Sequence, residues 1–223
     1  MSPPFTIDVW SDTVCPWCYL GERRLAQALA ARPGAISAVR WQPFELNPDL
    51  PEGGEDRRTY LRRKFGDPDR FRDAQARLLE LGRAAGIDYR FDAIARMPNT
   101  RAAHALARSA GERQGAVVEA LFRAYFTEGG DVGDPAVLVE IAAAAGLDAG
   151  TVRAQLAARE GYAAIEEQER RAHAMGISGV PFFVLAGRWA VSGAQEVDAL
   201  VRAIDHVGAE LAKSGAPAPG SAS

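Results

Sequence analysis

Cysteine is nearly absent from this chain. Its 223 residues include two, Cys15 and Cys18, both in the stretch "SDTVCPWCYLGERRL". So few thiols exclude a disulfide-stapled scaffold. Histidine is as scarce, and His104, His173 and His206 have no ligand spacing among them, so no structural metal site is expected. An excess of charge of one sign is also missing. Twenty-nine acidic residues face 26 basic ones, for a net charge of −3, and nothing global draws the chain to nucleic acid or anionic lipid. No stretch approaches the roughly 20 apolar residues of a membrane span. The first residues, "MSPPFTIDVWSD", lack the basic-then-apolar pattern and the small-residue cleavage site of a secretory signal, so the expected compartment is the cytoplasm.

What is present is an ordinary globular composition, 48% hydrophobic and 25% charged. "FTIDVW" (5–10) is β-branched and aromatic and reads as a strand, with a helix from Cys15 to about Arg32 behind it and a second strand in "AVRWQPFEL" (38–46). From residue 55 to about 160 every periodic segment is helical. One helix face carries Phe71, Ala74, Leu78, Leu81 and Ala85, and another carries Val117, Val118, Leu121, Phe122 and Tyr125. The basic run "EDRRTYLRRK" (55–64) reads as the solvated face of a helix. Strands return as "VPFFVL" (180–185) and "RWAV" (188–191), joined tightly by "AG", and a last helix spans about Gln195 to Leu211. The expected organisation is one α/β sheet domain split in sequence (1–54 and 161–213), a helical insertion (55–160), and a Gly/Pro/Ser/Ala tail (214–223) too polar to fold.

The cysteine pair stands where the first strand gives way to a helix. Free N–H groups and the positive end of the helix dipole favour a charged side chain there. Such a position lowers a thiol pKa from about 8.5 into the range 3.5 to 7.5. Pro16 fits the first helical position. Cys18, one turn on, brings the α-carbons within the roughly 4.4 to 6.8 Å that a disulfide requires. Cys15 would attack a partner disulfide and Cys18 would resolve the mixed species. A structural disulfide, two inert core thiols and a zinc site are the competing assignments.

"IDVWSDTVCPWCYLGERRL", "WQPFELNPDLP", "MPNTRAAHAL" and "GISGVPFFVLAGRWAVSGAQ", in that order, resemble the DsbA-like thioredoxin-fold family, most closely its FrnE-like branch of thiol-disulfide oxidoreductases. The resemblance spans about residues 5–205. It implies a thioredoxin-like sheet interrupted by a large helical insertion. It also implies a cis bond between Val180 and Pro181, whose backbone would pair with substrate beside the reactive sulfur. Asp8 falls near the place where such enzymes keep a buried acid for the second cysteine, or else lies at a solvated edge. Trp10 and Trp17 would give apolar cover to the sulfur, Trp17 on the substrate side. Asp12 reads as a helix-start or loop residue. Between the cysteines stands Pro-Trp, without the cation that the family's strong oxidants carry. That points to a reductase or disulfide isomerase acting on protein or small-thiol substrates.

The same extended family includes kappa-class glutathione transferases and 2-hydroxychromene-2-carboxylate isomerases, which have a serine where this chain has Cys15. "SGAQ" (192–195) sits where related transferases anchor a glutathione carboxylate, so Ser192 is either part of an anion site or an N-cap. Asn99 and Thr100 line the cleft or cap a helix, and His104 is read as a core or surface histidine. Glutathione is the expected co-substrate if there is one, no bound cofactor is expected, and the chain is expected to act as a monomer or homodimer. A non-catalytic thioredoxin-fold binding module is the remaining class.

Overall fold

The computed structural model describes residues 3–66 and 68–214, without the side chains of 68–71. The expected tail beyond Ser214, and the place of Phe71 on its helix face, lie outside the described residues. The chain opens with strand β1 (Phe5–Ser11), helix α1 (Pro16–Ala31) and strand β2 (Ile36–Pro43). There follow β3 (Glu55–Asp56), α2 (Arg57–Phe65), α3 (Pro68–Ala84), β4 (Arg96–Met97), α4 (Arg101–Ser109), α5 (Gln114–Phe126), α6 (Pro135–Ala144), α7 (Ala149–Ala157) and α8 (Tyr162–Ala174). Strands β5 (Phe182–Leu185) and β6 (Trp189–Ser192) and helix α9 (Val197–Ser214) close it.

The main sheet has the order β2-β1-β5-β6, with β1 parallel to β2 and antiparallel to β5. The helices between β2 and β5 are thus inserted into a small sheet whose interior strands are β1 and β5. Strand alternation divides β1 between two cores. Phe5, Ile7 and Val9 pack with Leu25 and Ala28 of α1 and with Leu200 and Ile204 of α9. Trp10, on the other face, packs with Phe44, Ile177 and Val184. A third and larger core fills the helical insertion, and Cys15, Cys18 and Tyr19 belong to it. Helix α1 therefore lies in the seam between sheet and insertion, and its first turn faces the insertion.

Several boundaries differ from the sequence reading, each for a local reason. Strand β2 stops at Pro43, which has no N–H to continue the ladder, instead of reaching residue 46. Helix α9 begins at Val197 instead of Gln195. The Arg24 guanidinium takes the Ala194 carbonyl and the Glu196 carboxylate, holding that loop against α1. Strand β5 begins at Phe182, after the cis Val180–Pro181 peptide. The β3–β4 ladder, which pairs Glu55 with Met97, was not expected. Nor was the contribution of "IDYRFDAI" (87–94), whose Ile87, Tyr89, Phe91 and Ile94 are buried although the segment is neither helix nor strand.

Candidate active site

β1 ends on Ser11, the chain turns through Asp12 to Val14, and Cys15 is the N-cap of α1 with Pro16 behind it. The turn is closed by the Cys15 N–H donating to the Asp12 carbonyl (3.0 Å), while the Cys15 carbonyl accepts from the N–H groups of Cys18 (3.0 Å) and Tyr19 (3.3 Å). Both cysteines are free thiols and both are buried, Cys15 at 4% exposure and Cys18 at 1%. The pair is asymmetric. Burial pushes the Cys18 thiol well above its ordinary pKa, and its hydrogen bond to Cys15 and the Cys15 charge push the same way. A backbone hydrogen bond from Asp12 and the Ser11 hydroxyl oppose this only in part.

Val180 and Pro181 face this turn, with a cis bond between them. The Cys15 thiol donates to the Val180 carbonyl at 3.7 Å, and the Pro181 carbonyl accepts from the Gly193 N–H (2.8 Å). From the insertion, the buried Tyr89 hydroxyl donates to the Pro16 carbonyl at 2.6 Å. Burial and the neighbouring cysteines hold its phenolic proton far more tightly than in water.

Asp12 has a larger place than a helix-start residue. Its carboxylate is fully buried and accepts from the Leu46 N–H (2.7 Å) and weakly from the Val14 N–H (3.5 Å), with His104 Nε2 at 3.4 Å. Next to it, buried Glu45 is held by the Arg101 guanidinium (2.9 Å), and the Glu169 carboxyl accepts from the Glu45 N–H. Burial, with the nearby Glu45 charge, pushes Glu169 up to about 7. Sequence reasoning missed this cluster. Its one signal was an acid between a buried strand and a buried helix start, with no loop in which to be solvated.

Asp8 is a correction. Alternation puts it with Trp10 on the sheet face opposite Ile7 and Val9, which are the residues that meet α1. It lies half-buried, accepting from the Gln42 side-chain amide at 2.9 Å, and the structure does not bring it to the cysteines. Ser192 is exposed at the end of β6, five positions before α9 begins, so it does not cap that helix. Asn99 bridges the Leu50 carbonyl (2.9 Å) and the Arg101 N–H (3.0 Å) and lines a separate cavity with Glu52 and Asp131. Trp17 is half-buried and lines the cavity into which Cys15 opens, together with Val180. Among the described residues no group of His, Cys, Asp and Glu is placed to hold a metal ion.

A family profile, the DSBA-like thioredoxin domain, matches residues 6–205 of this chain. The chain belongs to this family. A crystal structure of a probable DsbA oxidoreductase from Streptomyces coelicolor is 36% identical, with a TM-score of 0.84, over 92% of this chain and 90% of that one. YwbO of Bacillus subtilis, an uncharacterized protein, is 29% identical over 203 residues, 89% of this chain and 94% of its own. More distant structures share the fold. They include a 2-hydroxychromene-2-carboxylate isomerase (16% identity, TM-score 0.71, 95% and 100% covered) and the cytosolic disulfide reductase DsbM of Pseudomonas aeruginosa with GSH (21%, TM-score 0.61, 94% and 98%). The DsbA-like protein is thus an α/β thioredoxin-type fold carrying a helical insertion, as its sequence led one to expect. No helix among its described residues is long and apolar enough to cross a membrane.

Proposed function

We propose that this DsbA-like protein is a thiol-disulfide oxidoreductase, working as a reductase or disulfide isomerase in the cytosol, with glutathione as the thiol that restores its dithiol. The observation that carries this reading is the asymmetric Cys15–Cys18 pair, with Cys15 directed at the Val180 carbonyl beside Pro181.

The Cys15 thiolate attacks one sulfur of a substrate disulfide. A Cys15–substrate disulfide forms, the substrate S–S bond breaks, and one substrate thiolate leaves. The Cys18 sulfur then attacks Cys15 Sγ, and the Cys18 proton passes to the departing thiolate. The substrate has gained two electrons, and the protein dithiol has become a disulfide. Two glutathione molecules reverse the change by exchange and leave as oxidised glutathione. A Cys18 that keeps its proton until it is needed prevents the dithiol from acting as two competing nucleophiles. The Val180 backbone gives an extended substrate somewhere to pair.

Insulin reduction in dithiothreitol tests the reading. Turnover that disappears in Cys15→Ser is expected. Turnover unchanged in that variant would refute it. Glutathione transfer to an aryl halide without disulfide reduction would instead indicate the transferase type of chemistry.

A further inference from the structure

The cavity into which Cys15 opens holds about 600 Å³, a volume typical of small-ligand sites. Its walls come mainly from the insertion: Tyr60 and Leu61 of α2, Leu78 of α3, Phe91, Met97, and Phe126 of α5. Cys15, Pro16 and Val180 form one end. Two features select what can enter. Cys15 is only 4% exposed, so the attacking sulfur is reached by something slender enough to enter this space, a small molecule or an extended segment. The lining contains two cations, Arg57 and Lys64, and among the described residues no aspartate or glutamate. Both cations belong to the basic run that reads from sequence as a solvated helix face. Arg57 is fixed on the inner wall by the Phe91 carbonyl (3.0 Å), while Lys64 sits at the mouth over the Tyr60 ring and donates to Asn47 Oδ1 (2.8 Å).

We infer that the substrate is a low-molecular-weight organic disulfide with an apolar or aromatic arm and an anionic group, the arm lying among Leu61, Leu78 and Phe91 and the anion near Lys64. The inference rests on the oxidoreductase reading for its chemistry. Cys15 forms a bond to one sulfur of this disulfide, the arm-bearing thiolate departs, and Cys18 displaces the remaining half as its thiol, so two electrons pass from the dithiol to the small disulfide.

Two measurements test it. In single turnovers, the reduced protein is mixed with dithiobis(nitrobenzoate), which is aromatic and anionic, and separately with neutral hydroxyethyl disulfide. Each rate constant is divided by that of free glutathione with the same disulfide. The corrected preference is expected to favour the aryl disulfide. Lys64→Glu is expected to lower that preference by about tenfold at low salt, and less at high salt. The second measurement is fluorescence titration with anilinonaphthalene sulfonate on the Cys15→Ser/Cys18→Ser variant, which reads binding without redox chemistry. One molecule per chain is expected to bind, with affinity weakened in Lys64→Glu and lost when Leu78→Trp fills the cavity. Should Leu78→Trp fail to fold, Lys64→Glu, at an exposed position, still decides the matter. No preference for the aryl disulfide, or a preference indifferent to Lys64→Glu, overturns the inference while Cys15-dependent reduction of hydroxyethyl disulfide leaves the oxidoreductase reading standing. Saturable, Lys64-dependent binding without any disulfide reduction overturns that reading and supports the cavity's selectivity.

Discussion

His104 Nε2 stands 3.4 Å from Asp12 Oδ1, and both side chains are buried behind the turn that carries Cys15. The other Asp12 oxygen accepts from the Leu46 N–H at 2.7 Å. One carboxylate therefore ties the loop after β2 to the cysteine turn, with the imidazole of α4 packed close beside it.

Removing that carboxylate strands the Leu46 and Val14 N–H groups in a place that water does not reach. Asp12→Ala is expected to cost about 2 to 4 kcal/mol, and Asp12→Asn, which keeps an acceptor oxygen, clearly less. Urea unfolding measures both. An Asp12→Ala protein as stable as the wild type would mean the carboxylate is not the tie described here.

Cys18→Ser is expected to arrest exchange at the first bond. A Cys15-linked adduct should accumulate and be visible as added mass, and Cys15→Ser should give none. Because burial holds the Cys18 proton above the ordinary thiol range, and still does so once Cys15 is bonded to substrate, resolution of the wild-type adduct should accelerate as pH rises through neutrality and beyond. Quenched-flow mass spectrometry follows this step. A resolution rate that is flat with pH would contradict the asymmetry of the pair.

Gly21 lies one turn beyond Cys18, and a Cβ there would meet Pro181 Cγ at 3.0 Å and Phe183 Cζ at 3.3 Å. An alanine would favour the helix by up to about 1 kcal/mol, offsetting part of the crowding, so Gly21→Ala should change stability by no more than about 1 kcal/mol either way. It should nevertheless push the proline away from the sulfur, lowering kcat/KM by up to about tenfold. Parallel thermal melts and insulin assays separate the two effects. Equal activity would show that the position of Pro181 relative to Cys15 is not critical.

Glu169 gives a pH dependence of stability whose sign is fixed. Its carboxyl titrates near 7 in the folded protein against an ordinary value of 4.5, so the folded state holds a proton that the unfolded chain has released. This contribution is complete below about 4.5 and is lost as pH rises through about 7. Glu22, likewise pushed to about 7 by burial, adds a share of the same sign. Glu169→Gln keeps an acceptor for the Glu45 N–H and has no proton to lose, so its stability should fall less than the wild type's from about pH 5 to about pH 8. Melting curves across that range decide it, and identical slopes would refute it.

The sequence by itself determined the strands of the main sheet, the helical character of the insertion and the dithiol. Period-two and helical patterns, Pro16 at a helix start and three-residue spacing between thiols are local matters, settled by backbone geometry within a few residues. Its errors were also of one physical kind. Asp8 and Asp12 are both acids near a strand, and neighbouring sequence cannot say on which face of a sheet α1 will pack, so the one placed by expectation beside Cys18 lies across the sheet from α1. Asn99 does cap, its side chain accepting from the Arg101 N–H at the start of α4, but its second bond, to the Leu50 carbonyl, is set by a loop from elsewhere in the chain. Only tertiary structure could decide that the irregular segment 87–94 brings Tyr89 to Pro16, or that Arg57 and Lys64 turn from an ordinary basic helix toward the sulfur. Those contacts join residues that are far apart in sequence, and they exist only because the insertion folds back over the first turn of α1.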